Sequence, residues 1–280
     1  MKSISDTTPV SAITIPGTHD SSSLYGGPLI QCQVWTLEKQ LNVGIRYFDM
    51  HAGLWLPSHQ QMYARNSHWK LWKLIKFDEI LQIIFNFLDA HGSETVLLKV
   101  TLHGPLKKNV GKLMNESIKK FKNRIWTAWS VPNMQQARGK IVFLRSKTYP
   151  VGTLNHKSFF FEHNKLENVE DKIKSIKSHL CNDYIVQTGK AAETHRSPKT
   201  IAKKINKRLY DFVKHHKKSS SNQGCLGVLS MDFPGADVIK EIIQIPPCKC
   251  GRGGGIGQNH NQENSKTTTT TQGSQAISRI

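Results

Sequence analysis

No run of about 18 consecutive apolar residues occurs in the 280-residue chain, so no segment reads as a membrane-spanning helix. The opening stretch MKSISDTTPVSA lacks the apolar core of a signal peptide, and a cytoplasmic location with peripheral membrane contact is expected. Because the first strand-like run starts so near the N-terminus, a missing upstream segment, and with it secretion, stays open. Acidic residues are scarce: 20 Asp and Glu face 39 Lys and Arg, a formal net charge of +19. A surface that basic seeks anions, namely nucleic acid, an anionic membrane face or phosphorylated small molecules. Nucleic acid is not expected as a partner, since no groove-reading motif or aromatic-interleaved basic repeat accompanies the charge. The clusters KKFKNR (119–124), KKINKR (203–208) and KHHKK (214–218) read mostly as solvated helix faces. Cysteine is sparse too. Cys32, Cys181, Cys225, Cys248 and Cys250 are odd in number and irregularly spaced, which gives no disulfide framework. Cys248 and Cys250 have no second ligand pair at zinc spacing.

What is present is an alternation. Strand-like runs recur at AITIPG (12–17), GIRYFDM (44–50), ETVLLKVTL (94–102), GKIVFLR (139–145), DYIVQTG (183–189) and CLGVLSMDF (225–233). Helix-like stretches separate them at 34–42, 77–92, 106–121 and 199–218; in the second, Ile80, Ile83, Ile84, Phe87 and Leu88 recur at helical spacing. Such alternation predicts an α/β fold with a parallel sheet wrapped by helices, and its length suits a β/α barrel. Residues 246–280, rich in Gly, Asn, Gln and Thr, have little to bury and read as a disordered tail.

The stretch SAITIPGTHDSSS (11–23) ends its strand pattern at Pro16-Gly17 and places His19 and Asp20 on the loop that follows. Strand-end loops of α/β folds carry chemistry because the sheet beneath holds them rigidly. The competing reading, a turn in which Asp20 and Ser21 cap a helix, is equally open on residue type alone.

Five stretches, taken in order, carry a resemblance: IPGTHDS, QLNVGIRYFDM, FDEILQIIFNFLDAHGSETVLLKV, ARGKIVFL and GVLSMDFPG. They resemble the phosphatidylinositol-specific phospholipase C X-domain family, most closely its small metal-independent type found in bacteria and animals, over roughly residues 4–245. The resemblance implies a single-domain irregular (β/α)8 TIM-type barrel over 1–245, with its site at the C-terminal ends of the strands. It also implies cleavage of phosphatidylinositol to diacylglycerol and inositol 1,2-cyclic phosphate, in which one imidazole takes the 2-hydroxyl proton and another protonates the leaving oxygen. On that basis His19 is the general base and Asp232 orients it. Of His59 and His68, the family's spacing ahead of Phe77 selects His68 as general acid, with Asp20 as its partner, although the insertion-like LWLPSHQQMYARNS (54–67) loosens this alignment.

The resemblance places Lys99 and Arg145 against the inositol phosphate and Asp171 at an inositol hydroxyl. One position departs from it: the family's phosphate-clamping arginine is His51 here. An unperturbed imidazole, with a pKa of about 6.5, is charged in roughly a quarter of molecules at pH 7, so a weak enzyme that improves toward pH 6 is expected. Strand alternation puts Tyr47, Asp49 and His51 on one face and turns Arg46 away from it. The metal-dependent relatives carry a carboxylate at the His51 position and an asparagine at Asp20, so no metal and no other cofactor is expected. The implied partners are phosphatidylinositol or a related inositol phospholipid and an anionic membrane surface, engaged by a monomer. Two alternatives remain: a weak or inactive barrel that binds inositol lipids or phosphates, and a glycerophosphodiester phosphodiesterase, whose carboxylate ligands are not found.

Overall fold

The computed structural model describes residues 1–25, 27–55, 58–65, 75–159, 184–188, 197–218 and 224–250. All belong to one unit, Met1–Cys250. The chain runs from a 3-10 turn, Val10–Ala12, into β1 (Ile15–Thr18), then α1 (Leu37–Asn42), β2 (Tyr47–Trp55), β3 (Ser58–Arg65) and β4 (Ile75–Lys76). There follow α2 (Phe77–Ala90), β5 (Val96–Leu102), α3 (Lys107–Lys120), β6 (Ile125–Trp126), α4 (Met134–Ala137), β7 (Ile141–Leu144) and β8 (Asn155–Phe159). The last elements are β9 (Tyr184–Thr188), α5 (Pro198–Lys218), β10 (Val228–Met231) and α6 (Ala236–Ile243). Each of the six strand-like runs and each of the four helix-like stretches read from the sequence overlaps an element of that type, with β2 extending five residues beyond its run.

Hydrogen bonding joins the strands in the order β6-β7-β5-β2-β1-β10-β9-β8, every pair parallel. The path bends back on itself at one point. Thr153, just ahead of β8, forms a parallel bridge with Leu144 at the end of β7: its N–H donates to Phe143 O (2.9 Å) and its carbonyl accepts from Arg145 N (3.0 Å). Gly152 makes this approach possible. Its φ is +101°, and a Cβ there would sit 2.2 Å from Phe143 O, so only glycine fits. The fold is therefore the irregular TIM-type barrel that the motifs implied.

Strand alternation sorts the side chains into two layers. Ile15, Tyr47, Leu97, Val142, Leu144, Tyr184 and Val228 cluster inside the barrel. Their neighbours Phe48, Met50, Leu98, Val100, Phe143, Leu229 and Met231 pack outward against Ile80, Ile84 and Leu88 of α2, Val110 and Met114 of α3, Leu209 of α5 and Ile239 of α6. Each fully buried side chain of this kind contributes about 1.5–3 kcal/mol. Gly17 has no side chain because Tyr47 crosses the barrel floor against it: a Cβ would lie 2.5 Å from Tyr47 Cδ1.

Two features differ from the sequence reading. The insertion-like stretch is a β-hairpin extension, with β3 antiparallel to β2 and β4 antiparallel to β3; polar residues dominate it, so no apolar period announced a strand. The cysteines, read as giving no disulfide framework, include a Cys225–Cys248 disulfide, and Cys250 is also disulfide-bonded. Cys225 precedes β10 and Cys248 follows α6, and the return of α6 along the barrel brings them together across 23 residues. Among the described residues, no helix is long and apolar enough to cross a membrane.

Candidate active site

The alternation that builds the inner layer decides what stands above it. Continuing past the apolar inward residues, the next inward positions are Asp49 and His51 on β2, Lys99 on β5 and Asp232 just beyond β10. All lie toward the C-terminal ends of parallel strands, with His19 just past β1.

On the β1/β10 side, the His19 Nδ1 edge meets Asp232 Oδ1 at 2.9 Å, with both residues buried. The backbone holds them in step: His19 N donates to Met231 O at 3.0 Å. The residue after each is strained, since Asp20 and Phe233 both sit at φ +44°, a left-handed conformation that costs a non-glycine residue about 1–3 kcal/mol. Side-chain amides secure the loops. Gln33 Nε2 donates to His19 O (2.8 Å) and Met231 O (3.1 Å), and Asn206 Nδ2 donates to Asp232 O (2.9 Å) and Phe233 O (2.8 Å). Gln40 Nε2 binds Ser21 O at 2.9 Å, and Ser21 Oγ accepts from Asp49 N at 3.0 Å, tying this loop to β2. Burial alone pushes the His19 imidazole down, but Asp232, aided by Asp49 and Asp20, outweighs it, and the pKa ends above its ordinary value. With Nδ1 turned to the carboxylate, Nε2 is the nitrogen left to exchange a proton with a bound molecule.

On the β2/β5 side, Asp49 and Lys99 are direct register partners, and Lys99 Nζ donates to both carboxylate oxygens at 3.0 Å. Both are buried. Burial would raise the Asp49 pKa, but Lys99, with His19 and His51, overcomes it, so the carboxyl stays below its usual range. One strand position further, the His51 Nδ1 edge meets the His103 Nε2 edge, with ring centroids 4.6 Å apart. Burial, reinforced by His103, His19 and Lys99, lowers the His51 pKa to about 3. This corrects the expectation of a partly charged imidazole at neutral pH: His51 is a neutral hydrogen-bonding group there, and among the described residues Lys99 is the buried basic side chain of the rim.

The remaining expected residues are placed as follows. Asp20 is fully buried beside His19. Arg145 follows β7 with its guanidinium over the Trp129 ring, 4.1 Å from the centroid. Arg46 turns away from the rim, as alternation predicted, and donates to Glu94 Oε2 at 2.8 Å. His68 and Asp171 lie outside the described residues, and His59 lies on β3. Sequence reasoning missed Asp49 as the partner of Lys99, His103 as the partner of His51, and Cys32 beside the His19–Asp232 pair. Only the first had a signal, the shared inward face of Asp49 and His51.

Fold and site together define a class: a β/α-barrel protein whose strand-end rim holds a buried imidazole–carboxylate pair beside a buried lysine–carboxylate pair. No family model matches the chain. It is similar to the 1-phosphatidylinositol phosphodiesterase of Listeria monocytogenes, with 26% identity over 274 residues, spanning 87% of this chain and 83% of that one. In structure it resembles the phosphatidylinositol-specific phospholipase C of Listeria monocytogenes, with TM-score 0.70 and 22% identity over 88% of this chain and 97% of that one. A mutant phosphatidylinositol-specific phospholipase C from Staphylococcus aureus superposes with TM-score 0.71 and 16% identity, over 88% of this chain and 95% of that one. The likeness to bacterial phosphatidylinositol-specific phospholipases C that the five motifs carried is borne out.

Proposed function

We propose that this protein is a phosphatidylinositol-specific phospholipase C-type phosphodiesterase, forming diacylglycerol and inositol 1,2-cyclic phosphate. The observation that carries the reading is the buried His19–Asp232 contact of 2.9 Å at the strand ends, backed by relatives of that activity. His19 Nε2 takes the proton from the inositol 2-hydroxyl as that oxygen attacks the 1-phosphate. Asp232 holds the tautomer through Nδ1 and balances the imidazolium that forms, which contributes about 10²- to 10⁴-fold. Lys99, fixed by Asp49, faces the growing charge on the phosphate, while His51 offers a neutral hydrogen bond there. Arg145 and Asp171 complete the headgroup contacts, and His68, partnered by Asp20, returns a proton to the departing diacylglycerol oxygen.

A second reading, a barrel that binds inositol lipids with little turnover, is favoured by one observation: the pKa of about 3 leaves His51 uncharged, with no fork of donors such as a guanidinium presents. Product analysis with phosphatidylinositol vesicles, with and without a calcium chelator, separates the two. Cyclic inositol phosphate released equally in both arms supports the enzyme; headgroup binding without release supports the binder; calcium-restored loss of activity overturns the metal-independent chemistry. The net charge of +19 favours an anionic membrane as the working surface. The Cys225–Cys248 disulfide favours an oxidising compartment over the cytoplasm, since such bonds persist where thiols are not kept reduced.

A further inference from the structure

Cys32 has no part in the chemistry above, yet its sulfur lies in the site. The ligand atoms of His19, Cys32 and Asp232 all fall within 4.8 Å of one another, and all three residues are buried. The placement is built into the backbone. Cys32 O accepts from Phe233 N at 2.9 Å, Cys32 N donates to Ser23 O at 3.1 Å, and the adjacent Gln33 side chain bonds to His19 O. The loop that carries the thiol is thus hydrogen-bonded to both loops that carry the imidazole and the carboxylate.

The geometry points to a thiophilic-metal site at His19, Cys32 and Asp232, where a zinc-type divalent cation switches the general base off. The donor set is one nitrogen, one thiolate and one carboxylate oxygen, which suits zinc and its soft neighbours and not calcium or magnesium. Metal–ligand bonds of about 2.0–2.3 Å put tetrahedral neighbours roughly 3.5 Å apart, so the widest separation has to close by roughly 1 Å. To do so, Cys32 Sγ gives up its hydrogen bond to Ile30 O (3.4 Å) as its side chain turns toward the pair, and the 2.9 Å His19–Asp232 contact widens. On binding, Cys32 releases its proton to solvent, and Asp232 exchanges its hydrogen bond to His19 for a bond to the metal.

The switch follows from imidazole chemistry and rests on the reading of His19 as general base. A neutral imidazole carries one proton, on the nitrogen the metal does not take. Metal on Nδ1 forces the proton onto Nε2, and metal on Nε2 occupies it directly. In either case the nitrogen that must accept the hydroxyl proton is blocked. The cation is an inhibitor here and no resident cofactor.

The test uses the full-length purified chain, with Co2+ as spectroscopic probe and Zn2+ alone as ligand. Stoichiometric Co2+ is expected to produce a near-ultraviolet thiolate charge-transfer band that Cys32→Ser abolishes. Zn2+ is expected to suppress release of cyclic inositol phosphate along the same binding curve, with recovery on chelation. Cys32→Ser is expected to raise the half-inhibitory Zn2+ concentration more than about tenfold, relative to that variant's own metal-free rate. Cys32→Ala replaces it if circular dichroism shows the serine variant misfolded. Absence of the band, or a band that survives Cys32→Ser, overturns the site. Binding at Cys32 without inhibition overturns the switch. A Cys32-dependent band in a chain with no turnover under any condition upholds the site and refutes the enzymatic reading alone.

Discussion

On the β1/β10 side of the barrel Asp232 meets an imidazole, and on the β2/β5 side Asp49 meets an ammonium. Both carboxylates are buried, and both stand at inward positions on or just past parallel strands. The partners differ in what they can release. His19 is an imidazole whose pKa is raised by its carboxylate neighbours, whereas Lys99 uses two hydrogen bonds to hold Asp49. One carboxylate therefore tunes a reactive group, and the other fixes a charge in place. Similar burial sets one carboxylate against a ring that can pass a proton on and the other against an ammonium that it holds in place.

The sharpest way to break this division is His19→Ala. Turnover is expected to fall by about 10²- to 10⁴-fold, with the folded circular-dichroism spectrum retained at assay temperature, because the hydroxyl proton then has no acceptor. Full activity in this variant would remove His19 from the chemistry. Next comes Lys99→Met, which leaves Asp49 charged and unpaired inside the barrel; urea unfolding is expected to show a loss of about 3–5 kcal/mol. Adding Asp49→Leu removes the stranded charge and is expected to restore most of that stability, a non-additivity that a double-mutant cycle measures. Additive losses would mean that the two side chains do not depend on each other.

The smallest effect is on pH. The raised His19 pKa means its pairing with Asp232 stabilises the fold fully below the ordinary value of 6.5 and loses that contribution as pH rises through the folded value. The base works only when deprotonated, so turnover runs the other way, falling by at most about tenfold per pH unit below that pKa. Asp49 is lowered, so its contribution is present above the ordinary value of 3.8 and is lost as pH falls through the folded value. Between pH 8 and 6, rates fall while urea midpoints hold or rise. A rate that improves toward pH 6 would return a titrating charge to His51.

The two sides also differ in how legible they were. β1 and β10 end in turn residues, so His19 and Asp232 stand out as polar groups at strand ends, and the motifs paired them. Lys99 emerged from the motifs as a phosphate contact, but its bond to Asp49 depends on β2/β5 register, which spacing of 50 residues does not encode. His103 and Cys32 were invisible for the same reason: each sits on a loop whose position is set by hydrogen bonds to a distant strand end. Helix α2 was easy, with seven buried apolar residues at helical spacing, whereas β8 reads Asn-His-Lys-Ser-Phe and shows no pattern.

The disulfide gives the two halves of the His19–Asp232 pair unequal freedom when the chain unfolds. Asp232 lies inside the covalent ring from Cys225 to Cys248, together with β10 and α6, while His19 lies outside any ring among the described residues. A ring of this size shrinks the denatured ensemble by an amount worth about 3 kcal/mol on the chain-entropy account. Reduction would release that constraint from the carboxylate's segment alone. A chain refolding without the bond must find Asp232 again from a far larger set of conformations, while the search that His19 faces within its own segment is unchanged.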